Sequence, residues 1–190
     1  MHYQQPTNDP LNYYYFKTTF TRDEINKITS ELEKLEYEKA KTFVESDDNV
    51  RVSKIKWIPK TEEWGWVYQR LMEVALEANQ KLWHFDIFNC EQIQYTEYHQ
   101  DVEGHYDWHQ DLGPGEPSHR KISISVQISE PSSYAGGDLQ FWFGSDKIVS
   151  IQKSFGEATI FPSYLMHRVT NVYWGTRKSL VIWIGGSHFR

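Results

Sequence analysis

Three side chains far apart in this chain could together hold a metal ion: His109, Asp111 and His167. Imidazole nitrogens with a carboxylate oxygen suit ferrous iron, whereas a zinc site more often takes cysteine or three histidines. Two histidines and one carboxylate on one face of an ion leave its opposite face open. His109 and Asp111 are two residues apart, so on an extended strand both side chains point to the same side. His167 must then arrive on a second strand laid beside the first. Ten residues later comes Arg177, on a segment where Arg177, Ser179, Val181 and Trp183 share one face by the period of two. A guanidinium can fork onto a carboxylate with two parallel hydrogen bonds, which lysine cannot match. With a hydroxyl, a small apolar side chain and an aromatic wall, that face describes a pocket for a small diacid. A rival metal register exists four residues earlier, at His105 and Asp107.

Composition narrows the setting. The chain has 190 residues, enough for one domain with a real core. Aromatic residues make up 16 %, including eight Trp and twelve Tyr, which favours strands and a walled small-molecule site. A net charge of −6 and no long basic run argue against duplex nucleic acid as a partner. The single cysteine, Cys90, cannot form an internal disulfide; it reads as a buried small hydrophobe in a reducing compartment. No signal-peptide core, membrane span or lipidation motif is visible, so the expectation is a cytoplasmic protein without a membrane partner.

The elements that must position these residues fall into two halves. A strand through Tyr13–Phe16 leads to a helix announced by Thr21 and Glu24 as a capping box, with Phe20 and Ile25 as its hydrophobic staple. Ile25, Ile28, Leu32 and Leu35 form its apolar stripe. A strand over Val52–Ile58 follows, then a second helix capped by Thr61 and buried along Val67, Leu71, Val74, Ala78 and Leu82. From about residue 86 the texture turns to short strands: 85–88, 92–98, 121–129, 139–143, 147–151, 158–161, 167–172 and 179–184. Gly and Pro clusters mark the gaps, among them 113–117, 136–137, 144–146 and a turn at Trp174-Gly175-Thr176. Eight strands at this spacing predict a mainly β jelly roll of the cupin type, with two helices on its major sheet. We read one domain over 1–190, with a strand/helix lead-in at 1–90 and the core at 91–190.

The motifs also resemble a known family. Gly104-His105-Tyr106-Asp107-Trp108-His109-Gln110-Asp111 is similar to the G-x-Y-x-x-H-x-D signature of prolyl-hydroxylase-like, Fe(II)/2-oxoglutarate-dependent dioxygenases. Gln94 to Tyr98 resembles their Q-x-x-x-Y strand, and Gly136-Gly137-Asp138-Leu139-Gln140-Phe141 their G-G-x-L-x-F turn and strand. His167 to Val172, Gly175-Thr176-Arg177 and Trp183-Ile184 look like bacterial PKHD-type hydroxylases. The similarity covers roughly residues 91–186, and within its frame only His109 and Asp111 fit the metal positions. It implies a double-stranded β-helix with His109, Asp111 and His167 as iron ligands. Arg177 would bind the distal carboxylate of 2-oxoglutarate, Tyr98 would add a hydrogen bond at that end, and Ser179 is a further candidate there. It implies Fe(II), 2-oxoglutarate and O2, with ascorbate as a reductant. The activity would be hydroxylation of a C–H bond on a prolyl residue of a peptide or protein, or on a free amino acid, with succinate and CO2 as co-products.

Two other readings stand beside it. Nucleic-acid dealkylating relatives carry a second arginine six positions after the one matching Arg177, where this chain has Trp183. A cupin-like module could hold metal or ligand without turnover. Blander roles suit the remaining candidates: Arg177 as a strand-end ion-pair partner, Trp108, Trp142 and Trp174 as core, Trp64 and Trp66 as helix–sheet packing. His2, His84, His99, His119 and His188 read as surface or satisfied residues. The loops near 99–104 and 112–120 are expected to shape substrate entry.

Overall fold

The computed structural model describes residues 13–39 and 50–189, so His2 lies outside the described residues. In chain order the first half forms β1 (Tyr14–Phe16), α1 (Arg22–Leu32), β2 (Glu38–Lys39), β3 (Arg51–Val52), β4 (Lys54–Ile58), α2 (Gly65–Leu82) and β5 (Ile87–Cys90). The second half is strand-rich: β6 (Ile93–His99), β7 (His105–His109), β8 (Arg120–Gln127), β9 (Tyr134–Gly136) and β10 (Leu139–Trp142). It ends with β11 (Ile148–Ser150), β12 (Ala158–Pro162), β13 (His167–Val169) and β14 (Val172–Gly186).

Helix α1 starts where its side chains stop the chain from doing anything else. Thr21 Oγ1 accepts the Glu24 N–H (3.3 Å) and Glu24 returns a carboxylate oxygen to the Thr21 N–H (2.8 Å). Two orphan amide donors are thereby satisfied, which contributes about 1 kcal/mol. Ile25, Ile28 and Leu32 on the same face are buried. Helix α2 departs from expectation at its start. Thr61 makes no side-chain cap; its carbonyl accepts the Trp64 N–H, closing a tight turn over Glu62–Trp64 before α2 begins at Gly65.

The strands form two antiparallel sheets. The larger runs β1-β12-β8-β14-β6-β4-β2, with β5 and β9 also paired to β14; the smaller runs β11-β10-β13-β7-β3. Strand β8 shows how the larger sheet serves two masters. Ile122, Ile124 and Val126 join the apolar cluster that includes Ile28, Leu71 and Ala75 of the helices. Ser123, Ser125 and Gln127 alternate with them and turn toward the smaller sheet. A second apolar cluster, with Tyr98, Phe161, Phe141 and Val169, closes the space between the sheets. The result is the expected mainly β jelly roll with two helices covering its major sheet.

Several local departures bear on the site between the sheets. The segment expected as one strand at 52–58 divides at Ser53: β3 pairs with β7 in the smaller sheet, β4 with β6 in the larger. The expected turn at 174–176 is instead a kink inside the fifteen-residue β14. Gly175 takes φ +71° there, and a Cβ would lie 2.1 Å from the Ser133 carbonyl oxygen. At that point β14 exchanges partner β9 for β6, so the positive φ redirects the strand without reversing it. Residues 105–109 form β7, the extended strand that the spacing of His109 and Asp111 implied, though it ends at His109. The strand expected at 85–88 sits at 87–90, and Cys90 is half-buried on it. No helix among the described residues is long and apolar enough to cross a membrane.

Candidate metal centre and adjoining pocket

His109 ends β7 and His167 opens β13, and the two are direct cross-strand partners. Their ring centroids lie 4.1 Å apart. Asp111 is not on the strand, as the two-residue spacing had suggested, but just beyond it. Its N–H and that of Leu112 both donate to the Ser163 carbonyl (2.9 Å each), which turns the carboxylate back toward the histidines. Asp111 Oδ2 stands 3.5 Å from His167 Nε2, and Oδ1 3.8 Å from His109 Nε2. One ligand atom from each residue lies within 4.8 Å of the others, and among the described residues this is the one His/Cys/Asp/Glu group so assembled. His105 and Asp107 join no such group; Asp107 is exposed and accepts the Trp108 N–H at 2.7 Å.

The surroundings prepare these atoms to be ligands. His109 Nδ1 faces the Asp107 carbonyl at 2.7 Å and His167 Nδ1 the Leu165 carbonyl at 2.8 Å. A carbonyl oxygen only accepts, so each Nδ1 donates its proton there and each Nε2 is turned toward Asp111. Burial, reinforced by the neighbouring His167, pushes His109 down to about 3, which keeps its imidazole neutral. Burial opposes ionisation of Asp111, yet His167, His109 and the Ser123 hydroxyl outweigh it and hold the carboxyl below the usual range. Ser123 Oγ donates to Asp111 Oδ2 at 2.6 Å. Two imidazole nitrogens and a carboxylate, each oriented by a second partner, fit a ferrous ion.

These three residues line one side of a pocket between the two sheets. Arg177, Ser179, Val181 and Trp183 line it from β14, as the alternation predicted, and Tyr98 lines it from β6. Arg177 is 4 % exposed; its guanidinium lies 5.6 Å from the Tyr98 ring and donates to Ser179 Oγ at 3.2 Å. Among the described residues no carboxylate pairs with it, which sets aside the ion-pair role. Gly137 (φ +60°) gives it room, since a Cβ there would stand 3.0 Å from Arg177 Cδ.

Four contributors escaped the sequence reading. Ser123 and Ser163 brace Asp111 from β8 and from the turn after β12. Arg120 forks onto Glu91 (2.6 Å twice), donates to the Asp111 carbonyl (3.3 Å) and lies 4.0 Å over the Trp183 ring. Arg51, buried, stands 4.7 Å over Tyr106, whose ring stacks on His109 at 3.4 Å. A charge inside Val50-Arg51-Val52 was the available sign. Of the three tryptophans expected in the core, Trp142 and Trp174 are exposed, and Trp108 lies 6.4 Å from Trp142 on the outer side. His99 is satisfied by Glu97 at 2.8 Å.

Residues 93–185, which contain every one of the metal and pocket residues named from sequence, match the 2OG-Fe(II) oxygenase superfamily model. The likeness to that superfamily thus spans 93 of the 190 residues. A PKHD-type hydroxylase of Synechococcus sp. (strain CC9311) is 35 % identical over 88 residues, 43 % of this chain; the match spans 37 % of that relative's length. One from Teredinibacter turnerae is 37 % identical over 65 residues, 33 % of this chain and 27 % of that one. In fold the chain is similar to a Pseudomonas putida prolyl-4-hydroxylase, with a TM-score of 0.73, 18 % identity, and 91 % and 92 % of the two chains covered. It is also similar to a prolyl hydroxylase from Trichoplax adhaerens in complex with a hypoxia inducible factor peptide fragment, with a TM-score of 0.75, 15 % identity, and 93 % and 84 % covered. These oxygenases share the double-stranded β-helix seen here.

Proposed function

We propose that this protein is an Fe(II)- and 2-oxoglutarate-dependent hydroxylase that oxidises a C–H bond, with succinate and CO2 as co-products. The observation that carries the reading is one pocket holding both the His109–Asp111–His167 cluster and a buried guanidinium without a carboxylate partner. Burying an unpaired charge is expensive, so Arg177 marks where an anionic group binds. A 2-oxo diacid meets both demands, one end at the metal and the other at Arg177, with Tyr98 and Ser179 beside it. When bound, the iron supplies the oxidation chemistry with O2 and the co-substrate. The chain itself orients the ligand atoms, holds the His109 imidazole neutral and keeps water from the floor of the pocket with Phe161, Leu139 and Val181.

For the substrate, a prolyl residue in a peptide or protein, or a free amino acid, is the reading supported by the PKHD-type relatives and by the peptide-bound Trichoplax neighbour. Anaerobic addition of Fe(II) and 2-oxoglutarate should produce a visible metal-to-ligand charge-transfer band. A folded protein that binds Fe(II) but shows no such band would refute the co-substrate role. Substrate is then found by mass spectrometry as a +16 Da product among prolyl peptides and free amino acids, with ascorbate tested as a reductant.

A further inference from the structure

Three successive carbonyls in the turn after β12 hold the metal cluster in place. That of Ser163 accepts the Asp111 and Leu112 N–H groups at 2.9 Å. That of Tyr164 accepts the side-chain amide of Gln110, the residue between two ligands, and that of Leu165 accepts from His167 Nδ1 at 2.8 Å. The Ser163 hydroxyl also lies 3.0 Å from Ser123 Oγ, which donates to Asp111 Oδ2. Two of the three ligands therefore take their positions from residues 163–165. Within that turn Ser163 and Leu165 are buried, whereas the Tyr164 side chain leaves the core half-buried.

It runs into a group of three rings. Tyr164, Phe85 and Phe189 meet pairwise edge to face, with centroids 5.7 to 6.4 Å apart. Phe85 precedes β5 and Phe189 follows β14, and Gly186 lets the two segments approach, since a Cβ there would lie 1.7 Å from the Asp86 carbonyl oxygen. Ser187 Oγ donates to Asp86 Oδ2 at the same place. Lys121, 3 % exposed, touches both ends of the arrangement. Its ammonium stands 3.1 Å from the centre of the Phe189 ring, while its carbonyl accepts the Ser163 N–H at 2.9 Å. Edge-to-face and cation–ring contacts are directional, so they fix a position as well as cover area. Phe189 itself is 46 % exposed, too open to count as core.

We propose that residues 187–189 form a strap that grips Tyr164 through Phe189 and so holds the 163–165 turn where it presents Asp111 and His167 to a metal. Phe189 is a positioning residue, for it does not line the pocket. Lifting the strap leaves both sheets paired, so the metal site can be loosened without unfolding the protein. This rests on the metal reading above, and one arm of the test therefore needs no metal. Phe189→Ala should bind Mn(II) about 5-fold more weakly, below the roughly 10-fold cost of losing a ligand's direct partner because the ring acts through Tyr164. In the metal-free variant the Asp111 and Leu112 amides should exchange hydrogen faster by a similar factor, while those of β8 keep their wild-type rates. Phe189→Tyr keeps the ring and should match wild type in both readings. Phe88→Ala, which removes an exposed ring of β5 outside this group, should change neither. If the alanine variant does not fold, Phe189→Leu removes the ring but keeps its bulk and is read in the same two ways. Wild-type exchange and Mn(II) affinity in the ring-less variant overturn the strap, and so does an equal loss in Phe88→Ala. Faster Asp111 exchange in a protein whose wild type takes no Mn(II) upholds the strap and overturns the metal reading instead.

Discussion

His109 and His167 face each other directly across the β7–β13 ladder, so one pair of strands delivers two imidazoles to one point. Asp111 reaches the same point by a different device, two backbone hydrogen bonds to Ser163. The cluster therefore depends on the β7–β13 pair and on the turn after β12, and perturbing either should be read first in metal affinity.

Ser123 is the cleanest place to test this. Its hydroxyl fixes one carboxylate oxygen of Asp111 and lies 3.0 Å from Ser163 Oγ. Ser123→Ala should weaken Mn(II) or Fe(II) binding by about 10-fold, the usual cost of removing a ligand's supporting partner. Competition with a metal-binding dye reads this directly. An unchanged affinity would show that Asp111 is held by its backbone alone.

Arg177 should trade stability against binding. Arg177→Met removes a buried charge that no carboxylate compensates, so the ligand-free protein should unfold at the same or a higher denaturant concentration. The same change should lower 2-oxoglutarate affinity by about 100-fold, in the range found when one partner of a buried charge pair is lost. A variant that is both less stable and undiminished in binding contradicts the assignment.

Gly137→Ala should act on Arg177 at one remove. The added Cβ would meet Val172 Cγ2 at 2.9 Å and Arg177 Cδ at 3.0 Å, in a backbone conformation with φ +60°. Left-handed strain and crowding together should cost about 1–3 kcal/mol in urea unfolding. Binding of 2-oxoglutarate should weaken more than Mn(II) binding, because Arg177 is displaced while the metal cluster is not.

Glu157 gives the pH dependence. It precedes β12, is 5 % exposed, and burial raises its carboxyl above the ordinary value of 4.5 despite a hydrogen bond to Ser154. A raised carboxyl favours the folded state while protonated. That contribution is complete below 4.5 and is lost as pH rises through the folded value. Glu157→Gln should therefore be more stable than wild type at pH 7, with the difference closing by about pH 4. Urea midpoints across that range measure it, and a gap of constant size would point to lost packing or hydrogen bonds instead.

How legible all this was depended on how far apart the cooperating atoms lie in sequence. The capping box at Thr21 is written within four residues, and both of its hydrogen bonds form. The pocket face of β14 follows from strict alternation and was readable as Arg177, Ser179, Val181 and Trp183. His109, Asp111 and His167 were found because metal chemistry restricts residue types. Ser123 was not, because its meeting with Asp111 depends on β8 lying between β12 and β14, and no local pattern encodes that. Arg51 was hidden by a strand that changes sheets at one serine. Gly175 was read as a turn because glycine marks reversals and kinks alike; only the partners of β14 distinguish them.

Strand β8 carries two instructions on one backbone. Ile122, Ile124 and Val126 give the helices something to settle on, while Ser123 braces Asp111 and Ser125 and Gln127 line the cleft. Odd and even positions thus answer to different selective demands. A change of preferred ligand can be engineered on one set while the other continues to secure folding.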